Sequence, residues 1–339
     1  MTIQTKEKQV GAAKRSPNPF KTTPPQGAKT PKKRKRPKVV DGVVASLNPA
    51  WGYGFVAPFF VMFLIFGLAP VIFSIYIAFF NWDPLGDEQQ FYGWTNFTDL
   101  IADEQFWIAL RNTFSIWFFS TFPQMLMAIG LASILRNRHL KGATFWRTIL
   151  LVPNITSVLA IAIVFGQLFG RDFGLINLAL SYLGMPNHID WIAEAIPSHI
   201  AIATMITWRW LGYNALIFLA SMLAIPDYLY ESADLDGASK WQQFRYITLP
   251  QLKNTITFVL IVSTIGGLQV FAEPLTLGGN MGGGDSRQFS TLTLFLYEQA
   301  FQNNRWGYAA AIGLMITVIV VIISAVNFAI TRRISSEDN

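Results

Sequence analysis

The most informative stretch of the sequence is PDYLYESADLDGASKWQQFRYITLP, residues 226–250. Its opening Pro226-Asp227 pair predicts the start of a short amphipathic helix, because proline and aspartate both favour the first helical turn. Gly237 permits a sharp reversal, since glycine adopts a positive φ at little cost. A second short helix is predicted from Ala238 to about Tyr246, and Leu249-Pro250 is predicted to end it. The sequence therefore predicts two small helices at an angle to each other.

Long, largely uncharged windows flank this stretch on both sides and recur along the chain. A membrane-spanning helix needs about 20 mostly apolar residues, and six windows meet or approach that requirement. They are Gly54 to Phe80, Asn112 to Leu135, Thr148 to Gly170, Ile196 to Ile225, Asn254 to Ala272 and Trp306 to Thr331. Composition agrees, since 14% of the residues are charged and the mean hydropathy is +0.36. The chain is thus predicted to be an all-α polytopic membrane protein with six transmembrane helices in residues 50–335.

The distribution of positive charge predicts the orientation of these spans. Of the 26 Lys and Arg residues, 21 fall on the side that holds both termini and residues 226–250, and 4 fall on the opposite side. The remaining one, Arg209, lies within the fourth predicted span. Cytoplasmic connections carry the excess of positive charge, so both termini are predicted to be cytoplasmic. The glycine-rich run 278–284 lies in the last outer connection. It is interpreted as a turn rather than a ligand cradle.

Residues 1–45 are predicted to form a disordered, basic cytoplasmic tail. Residues 1–38 hold 12 of the Lys and Arg residues, and the segment lacks apolar periodicity, so it cannot bury enough surface to offset its ordering entropy. These charges either set topology or bind anionic lipid head groups. A cleaved signal peptide is not expected, because the first apolar window begins far from the terminus and is too long. Without this tail the chain is no longer basic, so nucleic acid is not an expected partner.

Several chemistries are excluded by what the sequence lacks. It has no cysteine and only three histidines, which are widely separated, so neither a thiolate site nor a metal site is expected. It also lacks the G-x-x-x-x-G-K-[ST] loop that cradles nucleotide phosphates. No cofactor is expected, and any energy from ATP has to come from another chain.

Residues 226–250 resemble the coupling loop of the membrane subunits of importer-type ABC transporters. That loop has a Glu-Ala-Ala pattern, a glycine four residues after the second alanine, and an Ile-x-Leu-Pro ending. The matching positions are Glu231, Ala233, Gly237, Ile247, Leu249 and Pro250, with Ser232 in place of the first alanine. Ala238, beside the glycine, is added as a small residue that allows close approach. The resemblance implies that this segment couples ATP hydrolysis in a partner to the membrane subunit.

Further motifs are similar to the carbohydrate branch of these permeases, of the kind related to the first maltose-type subunit. They include Trp210-Leu211-Gly212-Tyr213, Leu275-Thr276-Leu277-Gly278-Gly279 and Tyr297-Glu298-Gln299-Ala300-Phe301. The run Gly283 to Gln288 resembles cellobiose and other β-glucoside permeases. The likeness covers residues 50–335 and implies a type I importer permease fold. It also implies a second homologous permease subunit, two cytoplasmic ATPase subunits and an extracellular sugar-binding protein.

The resemblance places a sugar pathway on the fourth and fifth spans. Positions matching the family's sugar contacts are Trp208, Leu211, Gly212, Ile265 and Leu268. Several of these are apolar where the family uses amides, so Tyr213 and Gln269 are added as nearby candidates that can hydrogen-bond or stack on a sugar. Arg209 is an ionisable residue at mid-span. Such residues face a cavity or a partner rather than lipid, so either substrate contact or structural pairing is expected.

Two other classes of protein are weighed against this interpretation. A channel or proton-coupled carrier working alone predicts intramembrane acids or an internal repeat, and neither is found in the sequence. A membrane enzyme would have to use the carboxylates of the outer connections, which have no nearby His or Cys. Among importers, the alternative substrates are a polyamine, phosphate or another solute that is not a sugar. Tight binding of a cation favours acids along the spans, and the spans lack them.

Overall fold

The structure is a computed structural model that describes residues 49–336 except 85, 87–88, 138–139, 187 and 279–281. The chain divides into two units, residues 1–62 and residues 63–339. In the first unit the described element is helix α1, Pro49–Met62. The predicted tail, residues 1–45, lies outside the described residues.

The second unit is built almost entirely from helices. Two-residue strands β1 (Phe80–Asn81) and β2 (Gln90–Phe91) pair antiparallel, with Phe80 opposite Phe91. The helices are α2 (Ala69–Ile77), α3 (Thr95–Ala102), α4 (Glu104–Leu135), α5 (Ala143–Ile149), α6 (Val152–Ile155), α7 (Val158–Leu168), α8 (Leu175–Tyr182), α9 (Ala195–Leu223), α10 (Asp227–Leu235), α11 (Lys240–Gln243), α12 (Leu249–Gln251), α13 (Lys253–Leu268), α14 (Ala272–Gly278), α15 (Leu292–Phe301) and α16 (Trp306–Ser336).

Three helical segments of the described chain are long and apolar enough to cross a membrane by themselves. They are Tyr53–Ile77, Glu104–Leu135 and Trp306–Ala329. Three pairs of helices meet the same criterion only when their two bent halves are taken together, which brings the total to as many as six. The fourth predicted span contains α9, whose 29 residues extend about 43 Å.

The third predicted span, Thr148 to Gly170, is not one continuous helix. Helices α5 and α6 end by Ile155, α7 starts at Val158, and the two halves are bent by 93°. Thr156 and Ser157 are extended at the break, with ψ of 141° and 132°. Pro153 lies in the first turn of α6, where its missing N–H interrupts the helical hydrogen bonding between α5 and α6. Hydrophobicity alone predicted the span correctly as an apolar segment but missed its bend.

Helices α4 and α9 pack closely against each other through small residues. Ala128 and Ala132 of α4 and Ala215 of α9 are fully buried in one apolar cluster. On the next turn of α9, a Cβ added to Gly212 would lie 1.9 Å from the carbonyl oxygen of Leu150, just after α5. Small side chains let helix backbones approach each other in membranes. Gly212 is therefore required by packing at this position.

The loop between α14 and α15 is held against α4 and α9 by polar contacts. The Asn112 amide donates to the carbonyl oxygen of Arg287 at 2.9 Å, and His199 Nε2 lies 2.8 Å from the carbonyl oxygen of Gln288. Arg287 also forms two 2.7 Å contacts with the carboxylate of Glu298. These part-buried hydrogen bonds fix the loop against the two helices, and the ion pair joins it to α15.

Two glycines explain the tight path of the same loop. Gly283 and Gly284 have φ of +74° and +92°, values that glycine tolerates and bulkier residues rarely adopt. A Cβ on Gly283 would meet the backbone of Ser290 at 2.3 Å. This part of the glycine-rich run is a turn packed on its own loop. Residues 279–281 of the run lie outside the described residues.

Candidate functional site

Residues 226–250 fold into a compact two-helix unit, which we call the knob. Helix α10 begins at Asp227, directly after Pro226, as predicted, and its end carries the hydrogen bonds of a Schellman motif. The backbone amide of Ala238 donates to the carbonyl oxygen of Ala233 at 2.9 Å. The backbone amide of Gly237 donates to the carbonyl oxygen of Asp234 at 3.1 Å. Gly237 has φ +75°, so the predicted glycine reversal is confirmed.

Side-chain hydrogen bonds after the reversal at Gly237 join the two helices of the knob. Ser239 caps α11 with a complete capping box, which satisfies two backbone amides at once. Lys240 Nζ lies 2.9 Å from a carboxylate oxygen of Asp234, and the buried Gln243 amide donates to the same carboxylate. The hydrogen bonds from Lys240 and then Gln243 lower the pKa of Asp234 below its ordinary value. The knob is therefore held together largely by its own residues.

The second helix of the knob differs from its prediction at both ends. It starts at Lys240 rather than Ala238, since Ala238 and Ser239 form the turn and the cap. It also does not end at Leu249-Pro250, because a π-helical turn, Phe244–Thr248, leads into α12 and α13. Proline in a helix removes a donor and clashes with the carbonyl four residues earlier. The wider π turn accommodates Pro250, as a π turn over Phe63–Leu68 does before Pro70.

The predicted coupling residues all lie in the knob and differ in their exposure to solvent. Glu231, Gly237 and Pro250 are exposed, and a Cβ on Gly237 would meet open space. The half-buried ones are Ala233, Ala238, Ile247 and Leu249. Tyr230 joins the two helices through a 2.9 Å contact between its hydroxyl and that of Thr248. The Arg136 guanidinium, just after α4, stacks 3.9 Å from the Tyr230 ring centre.

A cavity of about 500 Å³ lies between α4, α9, α13 and α14. Helix α4 contributes Ser120, Thr121 and Gln124, and α9 contributes Ile206, Arg209, Trp210, Tyr213 and Asn214. The remaining wall comes from residues 262–273, namely Val262, Ser263, Ile265, Gly266, Gly267, Gln269, Val270, Phe271, Ala272 and Glu273. Most of the exposed surface of this wall is apolar, although ten of the 18 lining residues have a side chain that can form hydrogen bonds. Such a mixture is typical of a site for a small organic ligand.

Arg209 faces this cavity and is paired within the same chain. It lies at the midpoint of α9, and its Nη1 is 2.9 Å from a carboxylate oxygen of Glu273 on α14. The two side chains are 22% and 7% exposed. The expectation that Arg209 faces protein or a cavity rather than lipid is confirmed. Glu273 was not among the predicted pathway residues, and the pair with it joins two helices that are 64 positions apart in sequence.

Two amides form the other polar centre of the cavity. Asn214 of α9 donates to Gln124 Oε1 of α4 at 3.1 Å and lies 3.5 Å from the hydroxyl of Ser263 on α13. Gln124 Nε2 and Arg209 Nε are buried and form no hydrogen bond with a described residue. Both atoms are donors whose hydrogen-bonding capacity is not used by the described residues. Gln124 was not predicted, although a lone amide in an uncharged span is a usable signal.

The predicted pathway residues divide into two groups in the structure. Those that line the cavity are Arg209, Tyr213, Ile265 and Gln269. The others lie outside its lining: Trp208, Leu211, Gly212 and Leu268. Trp208 has its ring 5.8 Å from that of Phe165. Leu268 is fully buried in an apolar cluster with α15 and α16.

The knob and the cavity are joined by two continuous helices. Helix α9 carries Arg209 and Asn214 and ends three residues before α10, where the axis bends by 71°. Helix α13 begins just after the knob and carries Ser263 and Ile265 into the cavity wall. The two helices that flank the knob therefore also form two walls of the cavity.

Comparison with known proteins identifies the family. Residues 124–336 match the family model described as "Binding-protein-dependent transport system inner membrane component". The chain is 34% identical over 287 residues to the lactose transport system permease protein LacF of Rhizobium radiobacter, covering 83% of this chain and 94% of that protein. It is 33% identical to the arabinooligosaccharides transport system permease protein AraP of Bacillus subtilis, covering 84% and 90% of the two chains.

A solved structure shows the same fold. One chain of a bacterial alginate ABC transporter, in complex with an alginate pentasaccharide-bound periplasmic protein, is 25% identical with a TM-score of 0.71. It covers 83% of this chain and 94% of that chain. The predicted type I importer permease fold is confirmed, and the chain is a multi-pass protein of a prokaryotic cell membrane. It belongs to the family of binding-protein-dependent transport system inner membrane components.

Proposed function

We propose that this chain is one of two membrane subunits of an ATP-driven importer for a di- or oligosaccharide. An extracellular binding protein delivers the sugar, and two cytoplasmic ABC ATPase subunits supply the energy. The observation that carries this proposal is the direct connection of the knob to the cavity through α9 and α13. In this proposal, movement of the knob reaches the cavity walls through these two helices.

The knob is the proposed docking element for an ATPase subunit. Exposed Glu231 can accept charge-assisted hydrogen bonds, which are stronger than neutral ones. Ala233, Gly237 and Ala238 keep the surface around the reversal small. Ile247, Leu249 and Pro250 join the second helix to α13. Because the knob is held together by its own contacts, it can move as a rigid body.

The cavity is the proposed part of the sugar pathway. A sugar needs hydrogen-bond partners for its hydroxyls and flat apolar surfaces for its C–H faces. Arg209, Gln124 and Gln269 supply polar groups, and Trp210 and Tyr213 supply aromatic rings. The curated relatives compared above are named for lactose and arabinooligosaccharides, which supports a saccharide as the substrate.

The chain itself has no proposed catalytic activity. Its sequence lacks the phosphate-binding loop of ATPases, so the nucleotide is bound and hydrolysed by the partner subunits. The second membrane subunit is proposed to be a homologous permease that completes the pore. Neither a cofactor nor nucleic acid is part of the proposed assembly.

Both termini and the knob are proposed to lie in the cytoplasm. The support is the excess of Lys and Arg on that side of the six spans. Because the chain has no cysteine, single cysteines can be introduced cleanly at exposed Ser232 in the knob and at exposed Met185. In intact cells an impermeant maleimide should label Met185→Cys and not Ser232→Cys. The reverse labelling pattern would overturn the orientation.

The proposed function is tested by isolating the full chain from its own cells. An affinity tag on this chain should copurify an ATPase and a second permease. ATPase activity of the complex in liposomes should rise when its binding protein and a retained labelled saccharide are added together. If no ATPase copurifies, or if a non-sugar solute stimulates activity instead, the proposal is wrong.

A further inference from the structure

We propose that the Arg209–Glu273 pair makes the sugar pathway electrically neutral and so selects uncharged saccharides over acidic ones. This inference rests on the proposed function, since it specifies the substrate of the same cavity. It names a specificity-determining pair rather than a general sugar contact.

The charges of the cavity carry the first step. Among the described residues that line it, Arg209 and Glu273 are the charged ones. They sit on different helices and meet at 2.9 Å, with Glu273 almost fully buried. A buried charge without a partner is strongly unfavourable. Each residue therefore cancels the other's charge, and the cavity presents no net charge to a passing solute.

The geometry of the pair carries the second step. The chain has another Arg–Glu pair, Arg287 with Glu298, which is joined by two contacts of 2.7 Å and lies outside the cavity lining. Arg209 instead meets Glu273 through Nη1, and its buried Nε forms no hydrogen bond with a described residue. The Arg209–Glu273 pair thus offers donors and acceptors together without offering charge. A sugar hydroxyl, which both donates and accepts, is matched to such a pair.

The third step is the effect of disturbing the balance. Glu273→Gln keeps the shape and a hydrogen bond but leaves Arg209 uncompensated. In a partly desolvated cavity a lone cation attracts a carboxylate strongly. The variant should therefore favour a saccharide that carries a uronic acid.

The experiment measures direct binding to the complete complex in nanodiscs without the binding protein, because that protein applies its own selection. Saturation-transfer difference NMR detects weak binding of two matched probes. The probes are a neutral disaccharide that the complex takes up and the same disaccharide with one C6 hydroxymethyl group oxidised to a carboxylate. Glu298→Gln is the matched control, since it makes the same change in the pair outside the cavity.

The readout is the ratio of acidic to neutral saccharide signal. Glu273→Gln should raise this ratio about tenfold over the unmodified complex, and Glu298→Gln should leave it unchanged. A ratio within about twofold of the unmodified complex for Glu273→Gln, or an equal rise for Glu298→Gln, would overturn the inference. If Glu273→Gln does not assemble, Ile265→Lys decides: it adds one positive charge to the cavity lining while the pair stays intact, so its ratio has to rise. Absence of any signal from the neutral disaccharide in the unmodified complex would instead count against the proposed function.

Discussion

The knob and the cavity are built from contacts of very different range. Within the knob, Lys240 reaches Asp234 over six positions and Ala238 reaches Ala233 over five. In the cavity, Arg209 meets Glu273 over 64 positions and Asn214 meets Gln124 over 90. The knob is thus specified by a short stretch of sequence. The cavity exists only after four helical segments have packed against one another.

This difference predicts how each region responds to substitution. A change in the knob should alter local geometry and coupling while the helical packing persists. A change in the cavity should disturb the packing of helices that are far apart in sequence, and so should lower the stability of the whole subunit. Variants with matched controls test whether the two regions respond in these different ways.

The largest expected effect is that of Arg209→Leu. It leaves Glu273 buried without its partner, and breaking a buried pair in this way costs about 3–5 kcal/mol. The measurement is the thermal unfolding midpoint and yield of the purified complex. Arg209→Leu combined with Glu273→Leu should recover most of the loss, since no charge is then left unpaired. Arg171→Leu is the control, because its pair with Asp190 is 64% exposed on the arginine side and is worth about 0–1 kcal/mol.

Next in size is Gly212→Ala, which tests a residue that the family resemblance assigned to the sugar pathway. The added methyl group meets the Leu150 carbonyl, and overpacking of this kind costs about 1–3 kcal/mol. Gly130→Ala in α4 is the control, because open space surrounds its Cβ position and alanine favours a helix. If both variants unfold at the same temperature, Gly212 is not a packing position.

Tyr230→Phe has a smaller expected effect. It removes the contact with the Thr248 hydroxyl but keeps the ring beneath Arg136, so about 1 kcal/mol of local stability is lost. Hydrogen exchange of the amides in α10 and α11 should become faster while that of α9 stays the same. Tyr228→Phe, at an exposed position on the same helix, serves as the control. Equal acceleration throughout α9 would contradict the separation of the two regions.

The knob could be predicted in large part from sequence because its determinants are local. Pro226-Asp227 and Gly237 act through backbone preferences within one turn, and the structure has the helix start and the reversal at those residues. The prediction that Pro250 ends the second helix was wrong. A π turn can absorb a proline without breaking the helical path, and nothing in the local sequence distinguishes that outcome from a stop.

The spans and the cavity could be predicted only in part. Apolar length located the membrane segments, and the cost of a buried charge predicted that Arg209 faces a cavity. The bend after Pro153 and the choice of Glu273 as partner depend on how helices meet in three dimensions. The same holds for Gly212, whose neighbour Leu150 lies on another element. The sugar-contact roles of the eight pathway residues stay predictions.

The most direct test of the account is sugar-stimulated ATPase activity of the reconstituted complex with Gly237→Val. Valine is strained at φ +75° and adds bulk at the exposed reversal. Gly184→Val is the matched control, since Gly184 also has a positive φ, +69°, and open space around it, but lies outside the knob. The account predicts that Gly237→Val loses most of the stimulation and that Gly184→Val keeps it. Full stimulation in Gly237→Val, at the level of the control, would contradict the claim that the knob couples ATP hydrolysis to the cavity.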